Sequence, residues 1–111
     1  MRRRYTKLLT LEERTEAPDG GGGVVEEWTI IGTHWVDLKA SSARERFTGG
    51  RQVSLVTHKA IIRSLPLASA LYPKADQRFR DGERVYAIRG VAEADDRREH
   101  LICWLQEGAL S

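Results

Sequence analysis

The chain has 111 residues, 41% hydrophobic and 31% charged, the composition of one globular domain rather than a disordered segment. Eighteen Lys and Arg against 16 Asp and Glu leave a net charge of +2, too small an excess for a domain whose main work is gripping phosphates. The apolar runs are far shorter than the roughly 18 residues a spanning helix needs, and a sole cysteine, Cys103, excludes an internal disulfide framework.

Arg2, Arg3 and Arg4 form a basic N-terminal extension over residues 1–5. The residues after it alternate polar with apolar and supply no signal-peptide core, so the chain is expected to start in the cytoplasm. From 7 to 14, Leu9 and Leu11 alternate with Thr10 and Glu12, the period of a half-buried strand. Pro18, Asp19 and the run Gly20, Gly21, Gly22, Gly23 then predict a wide hairpin loop. Residues 24–31 and 33–40 are rich in Val, Ile, Thr and Trp and read as one bent strand or two short ones, with Gly32 as a bulge.

Small and charged residues occupy 41–46, where Ser42 and Glu45 have the spacing of a capping box, predicting a single helical turn that ends at Gly49 and Gly50. Residues 52–63 give the clearest strand, with Val56, His58, Ala60 and Ile62 on one face. Between 64 and 77, Pro66 and Pro73 interrupt any ladder while Leu65, Leu67, Leu71 and Tyr72 still require cover. Short strands at 78–80 and 84–91 flank an Asp81-Gly82 turn, a charged turn follows at 93–97, and a last strand runs from 100 to 106. Residues 109–111 are a short tail. The expected fold is all-β, a small barrel of six or seven short antiparallel strands with long loops in a single domain over 1–111.

No catalytic constellation emerges. His34, His58, His100 and Cys103 are the soft-ligand candidates, but His100 and Cys103, three apart on a strand, face opposite ways and no short loop chelates a metal. Cys103 between Leu101 and Leu105 reads as a core residue, and His58 beside Thr57 as a structural hydrogen-bonding group. The pair Asp95 and Asp96, flanked by Arg97 and Arg98, reads as a solvated charge cluster. The glycine run lacks the Lys and Ser or Thr of a phosphate loop. Trp28, Trp35, Tyr86 and Trp104 with Arg63, Arg78, Arg80, Arg84 and Arg89 leave one binding alternative open, an oligonucleotide-binding barrel.

Order is more informative than chemistry here. The strand from Leu8 to Arg14, the glycine loop, Val24, Val25 and Trp28 resemble the opening hairpin of the phage head-tail joining family, the head-closure or stopper proteins of long-tailed phages and phage-like gene transfer agents. Trp35, Val36, Leu38, Ser42, Arg44 and Glu45 resemble its second strand and following turn. Thr57, His58, Lys59, Ile62 and Arg63 resemble its Thr-His-basic strand. Asp81, Gly82, Arg84, Tyr86 and Ile88, then Arg97, Arg98, Leu101 and Cys103, resemble its last two strands. The segment 64–77 is longer and more apolar than the family's short Pro-containing connection.

The resemblance implies a structural, non-enzymatic protein of the particle neck, made in the host cytoplasm, with no cofactor, metal or membrane partner. It implies a sixfold or twelvefold ring of copies, an adaptor on the portal side, and a tail terminator or tail tube on the other. Double-stranded DNA would pass through the channel without sequence-specific binding. A tail-terminator or adaptor role in the same neck is the neighbouring alternative. The candidate channel or inter-ring residues are Ser42, Arg44, Glu45, Arg46, Leu67, Leu71, Tyr72 and Lys74; Arg2, Arg3 and Arg4 are candidates for contact with a partner or DNA.

Overall fold

Strands without helices make up the described part of the computed structural model, which covers residues 4–41, 46–49, 52–94 and 99–108. They are β1 (Lys7–Pro18), β2 (Val24–Ala40), β3 (Arg46–Gly49), β4 (Gln52–Leu55), β5 (His58–Arg63), β6 (Arg78–Asp81), β7 (Arg84–Glu93) and β8 (His100–Glu107). Six of them form one antiparallel sheet in the order β1-β2-β5-β8-β7-β6, and β6 closes it by pairing with β1 from Thr10 to Glu12. β3 and β4 make a separate two-stranded ribbon. The fold is all-β, as the sequence patterning requires.

Alternation decides what faces inward. Leu9 and Leu11 of β1, Val36 of β2, Ala60 and Ile62 of β5, Phe79 of β6, Tyr86 and Ile88 of β7, and Leu101, Cys103 and Leu105 of β8 form one buried cluster. Because successive side chains of a strand point to opposite faces, each strand places every second residue in this core and its neighbours outside. Closing the sheet removes the unpaired edges that a small open sheet would expose.

Three local expectations need correction. β1 continues to Pro18 and pairs there with Val24, so the hairpin loop is the five residues 19–23 rather than a wide one. Asp19 makes that brevity possible, since one carboxylate oxygen accepts from the amides of Gly21 at 2.7 Å and Gly23 at 3.0 Å. Residues 46–49 are a strand, not the end of a helical turn; Ser42 and Glu45 of the capping box lie outside the described residues. The strand at 52–63 is broken at Val56 and Thr57 into β4 and β5, because β4 pairs with β3 while β5 pairs with β2 and β8. Of the eight strands among the described residues, six form the closed sheet, in keeping with the six or seven expected.

β2 is a single bent strand of 17 residues, and its ladder with β1 shifts register between Leu11 and Glu12. Leu11 pairs with Gly32 and Glu12 with Ile30, so Ile31 is the extra residue of a bulge beside the expected glycine. Beyond this bulge neither neighbour follows: β6 pairs with β1 no farther than Glu12, and β5 pairs with β2 only from Asp37 to Ala40. The stretch from Glu13 to Ile30 is therefore a two-stranded arm leaving the closed sheet, which accounts for a long dimension of 54 Å against 32 and 26 Å.

Candidate assembly surfaces

At its C-terminal end β2 releases the chain into segment 41–57, and the two places where that segment crosses the sheet are tied together. Ser41 donates its amide to the Thr57 carbonyl at 2.8 Å, and Thr57 donates its own amide to the Leu105 carbonyl at 2.8 Å. The Thr57 hydroxyl accepts the Glu107 amide at 2.7 Å and lies 2.9 Å from Nδ1 of His58. His58 packs edge-on against Tyr86, and its Nε2 stands 3.9 Å from Glu107. Glu107 in turn accepts two hydrogen bonds from Arg84, at 2.6 and 2.9 Å. Those bonds hold the Glu107 carboxyl below the usual carboxylate range and raise the Arg84 guanidinium. The Thr-His pair is thus a clasp between the root of segment 41–57 and the end of β8.

Segment 64–77 packs against the middle of β2, at Gly32 and His34. Leu65 and Tyr72 pack on the core, Pro73 is fully buried, and Leu71 covers Gly32. The Leu71 carbonyl accepts from Nε2 of His34 at 2.7 Å, and His34 meets Phe79 edge-on. Burial pushes the His34 pKa down, partly opposed by that carbonyl. Farther along, the Gln77 side chain accepts the Lys74 amide at 2.9 Å and donates to Glu13 at 3.2 Å. Main-chain bonds join Asp76 and Gln77 to Ile88 of β7. Leu67 stands apart, 76% exposed, on an open groove of about 740 Å³ that Tyr72 and Val91 also line. Of the four candidates in this segment, Leu71 and Tyr72 are half-buried while Leu67 and Lys74 face outward.

Where the arm leaves the sheet, Glu12 is 3% exposed although it lies on the outer face. Nε of Arg78 donates to it at 2.7 Å and Nε of Arg80 at 2.9 Å. Arg78 also stacks over Trp28 of the arm, its guanidinium carbon 4.0 Å from the ring centroid. An isolated buried carboxylate would be costly, so the two guanidinium groups are what allow Glu12 to sit there. Sequence reading placed Glu12 merely as the polar partner of an alternating strand and did not anticipate this brace.

Ser42, Arg44, Glu45, Arg2 and Arg3 lie outside the described residues, and Arg46 is placed in β3 by its backbone. Arg4 is exposed. The next residue, Tyr5, stacks on His100 and lies under Arg63. Of the four aromatics of the nucleic-acid alternative, Trp35 and Trp104 lie on the outer face of β2, β5 and β8, and Trp28 and Tyr86 do not join them. Trp28 is on the arm and under Arg78, Trp35 is 58% exposed on β2, and Tyr86 is inside the core at 1%. Arg78, Arg80, Arg84 and Arg89 are each engaged by an intramolecular acceptor. Cys103 is buried, and desolvation raises its thiol pKa to about 12. Among the described residues, no three His, Cys, Asp or Glu side chains come together as a metal-binding group.

Comparison with known proteins bears on this geometry. A family model described as phage head completion protein matches residues 1–108. Among solved structures, the chain is similar to a protein chain of the virion of a native gene transfer agent particle, with 33% identity, a TM-score of 0.69 and 94% of each chain covered. No curated protein matches.

Proposed function

The chain belongs to the phage head completion protein family, and from that premise we propose that it is a ring-forming head-closure protein. In this role it joins the portal-adaptor complex to the tail and retains packaged DNA. The family match across residues 1–108 carries the reading, and the relative found in a gene transfer agent virion supports a place in the particle. The task is structural, with no reaction at its centre.

The arrangement of the fold suits such a task. The chain leaves β2 for segment 41–57 at Ala40, segment 64–77 packs on β2 at Gly32 and His34, and the arm leaves beyond them, so the closed sheet carries unlike elements at separate places. A subunit that touches two different neighbours requires unlike surfaces of this kind. In this reading Ser42, Arg44, Glu45 and Arg46 meet the adjoining ring or the channel. Leu67 and Lys74 are offered to a neighbour by a segment that Leu71 and Tyr72 fasten to the sheet. Arg2, Arg3 and Arg4 reach a partner surface or DNA. A net charge of +2 fits DNA that passes through, because each bound phosphate would add a salt-dependent hold on the strand.

The test is electron microscopy of particles from a strain lacking the gene, with complemented particles beside them. DNA-filled heads without tails, and a missing ring of density in the neck, are the expected result. Normal tailed particles would overturn the reading. The position of the missing ring separates head closure from an adaptor or tail-terminator role.

A further inference from the structure

The arm projects beyond the closed sheet, held near its base by Trp28 under Arg78 and Glu13 on Gln77. From Glu13 to Ile30 it spans roughly 20 Å at about 3.3 Å per residue, with Val24 64%, Val25 44% and Ile30 60% exposed. It is also acidic. Residues 13–30 hold Glu13, Glu16, Asp19, Glu26 and Glu27 against Arg14 alone, so five acids and one base give −4. The rest of the chain then carries +2 − (−4) = +6. Glu16 stands directly across the ladder from Glu26, and like charges in that position repel. Arg14 reaches Glu26 at 3.2 Å, but among the described residues neither Glu16 nor Glu27 has a cationic partner.

The opposite character occurs on the outer face of β2, β5 and β8. Lys39 and Lys59 are cross-strand partners there, Arg63 lies four residues from Lys59 along β5 on the same face, and Asp37, 3.8 Å from Lys39, is the acid among them. Trp35 projects from this face at 58% exposure, and between Tyr5, Trp35 and Arg63 runs a groove of about 420 Å³. One molecule therefore carries an acidic ribbon with apolar side chains and, elsewhere, a basic face with an apolar groove. A closed ring is built from one surface of each copy meeting a different surface of the next.

We infer that the arm of one copy docks across the outer face of β2, β5 and β8 of a second copy. Glu16 and Glu26, which share one side of the ribbon with Val24 and Ile30, face Lys39 and Arg63 there, and Val24 and Ile30 cover Trp35 and its groove. This rests on the head-closure reading for its ring, and adds to it which two surfaces meet. Charge complementarity identifies the occupant: the arm is an acidic projection with a net charge of −4, and the face is basic around an aromatic.

A charge swap on the full-length chain tests it, with self-association read by analytical ultracentrifugation at low salt up to about millimolar concentration, where even weak contacts register. The arm variant is Glu16→Lys with Glu26→Lys, and the face variant is Lys39→Glu with Arg63→Glu. All four positions lie on the surface, and circular dichroism confirms that each variant keeps the β spectrum. Each variant alone should associate roughly ten-fold or more weakly than the wild type. An equimolar mixture should recover association, because each arm then meets a face of opposite charge. A monomeric wild type, a face variant that associates normally, or a mixture that stays apart overturns the pairing. The same variants complementing a deletion strain separate the two readings. Normal necks with either variant alone defeat the arm contact and leave head closure standing, whereas normal tailed particles in the deletion strain itself defeat head closure.

Discussion

Leu71 lies on Gly32 so closely that a methyl group added at position 32 would overlap its Cδ2. The glycine beside the β2 bulge is therefore a seat for segment 64–77 as well as part of a bend. Gly32→Ala should destabilise the fold by about 1–2 kcal/mol, the usual cost of overpacking. Combining it with Leu71→Ala should cost less than the sum of the two single changes, because the overlap disappears with the leucine side chain. A double-mutant cycle in urea gives the answer; strictly additive effects would mean that the contact carries no energy.

Glu12 predicts a larger effect. Removing it with Glu12→Ala strands Arg78, itself largely buried, and should cost about 3 kcal/mol by chemical denaturation. Arg80→Ala should cost distinctly less, because Arg80 is 40% exposed and water can replace what it loses. Equal losses at the two sites would show that Glu12 does not hold the base of the arm in the way described.

At the Thr57 clasp, Thr57→Val keeps the shape and deletes the hydroxyl that accepts the Glu107 amide. A loss of about 1–2 kcal/mol is expected, with Thr57→Ser close to wild type. Hydrogen exchange adds a local readout: the amides of Ser41 and Glu107 should lose protection in Thr57→Val before those of the core of β8. Unchanged protection at both would argue against a clasp.

His34 gives the fold a pH dependence. Its pKa is lowered in the folded chain from an ordinary value of 6.5, so the unfolded chain binds the extra proton more readily. Its contribution is fully present above pH 6.5 and is lost as pH falls through the lowered folded value. Melting temperature should therefore drop between pH 7 and pH 5, roughly the range in which histidine titrates. His34→Gln, whose amide can still donate to the Leu71 carbonyl, should flatten that part of the profile; an unaltered slope would assign it to another group.

The alternation of Leu9 with Leu11 and of Leu101, Cys103 and Leu105 determined from sequence alone that the domain is all-β and which side chains fill it, because a strand's period of two is local. The order of short motifs was likewise enough to name the family, and the family match agrees. Glycine and Asp19 marked the first turn because their conformational and hydrogen-bonding preferences act over a few residues. The arm was signalled, unread, by residues 13–18 and 24–30, which show no consistently apolar face and so cannot cover a core. The burial of Glu12 under Arg78 and Arg80, the Leu71 contact on Gly32, and the break at Val56 and Thr57 were decided by tertiary structure. Each joins residues that the chain separates and only closure of the sheet brings together: 66 and 68 positions for the glutamate's bonds, and 50 for the bond from Glu107 to Thr57. Local patterning specifies which face of a strand is buried, but which distant group meets it there depends on the register and curvature of the closed sheet.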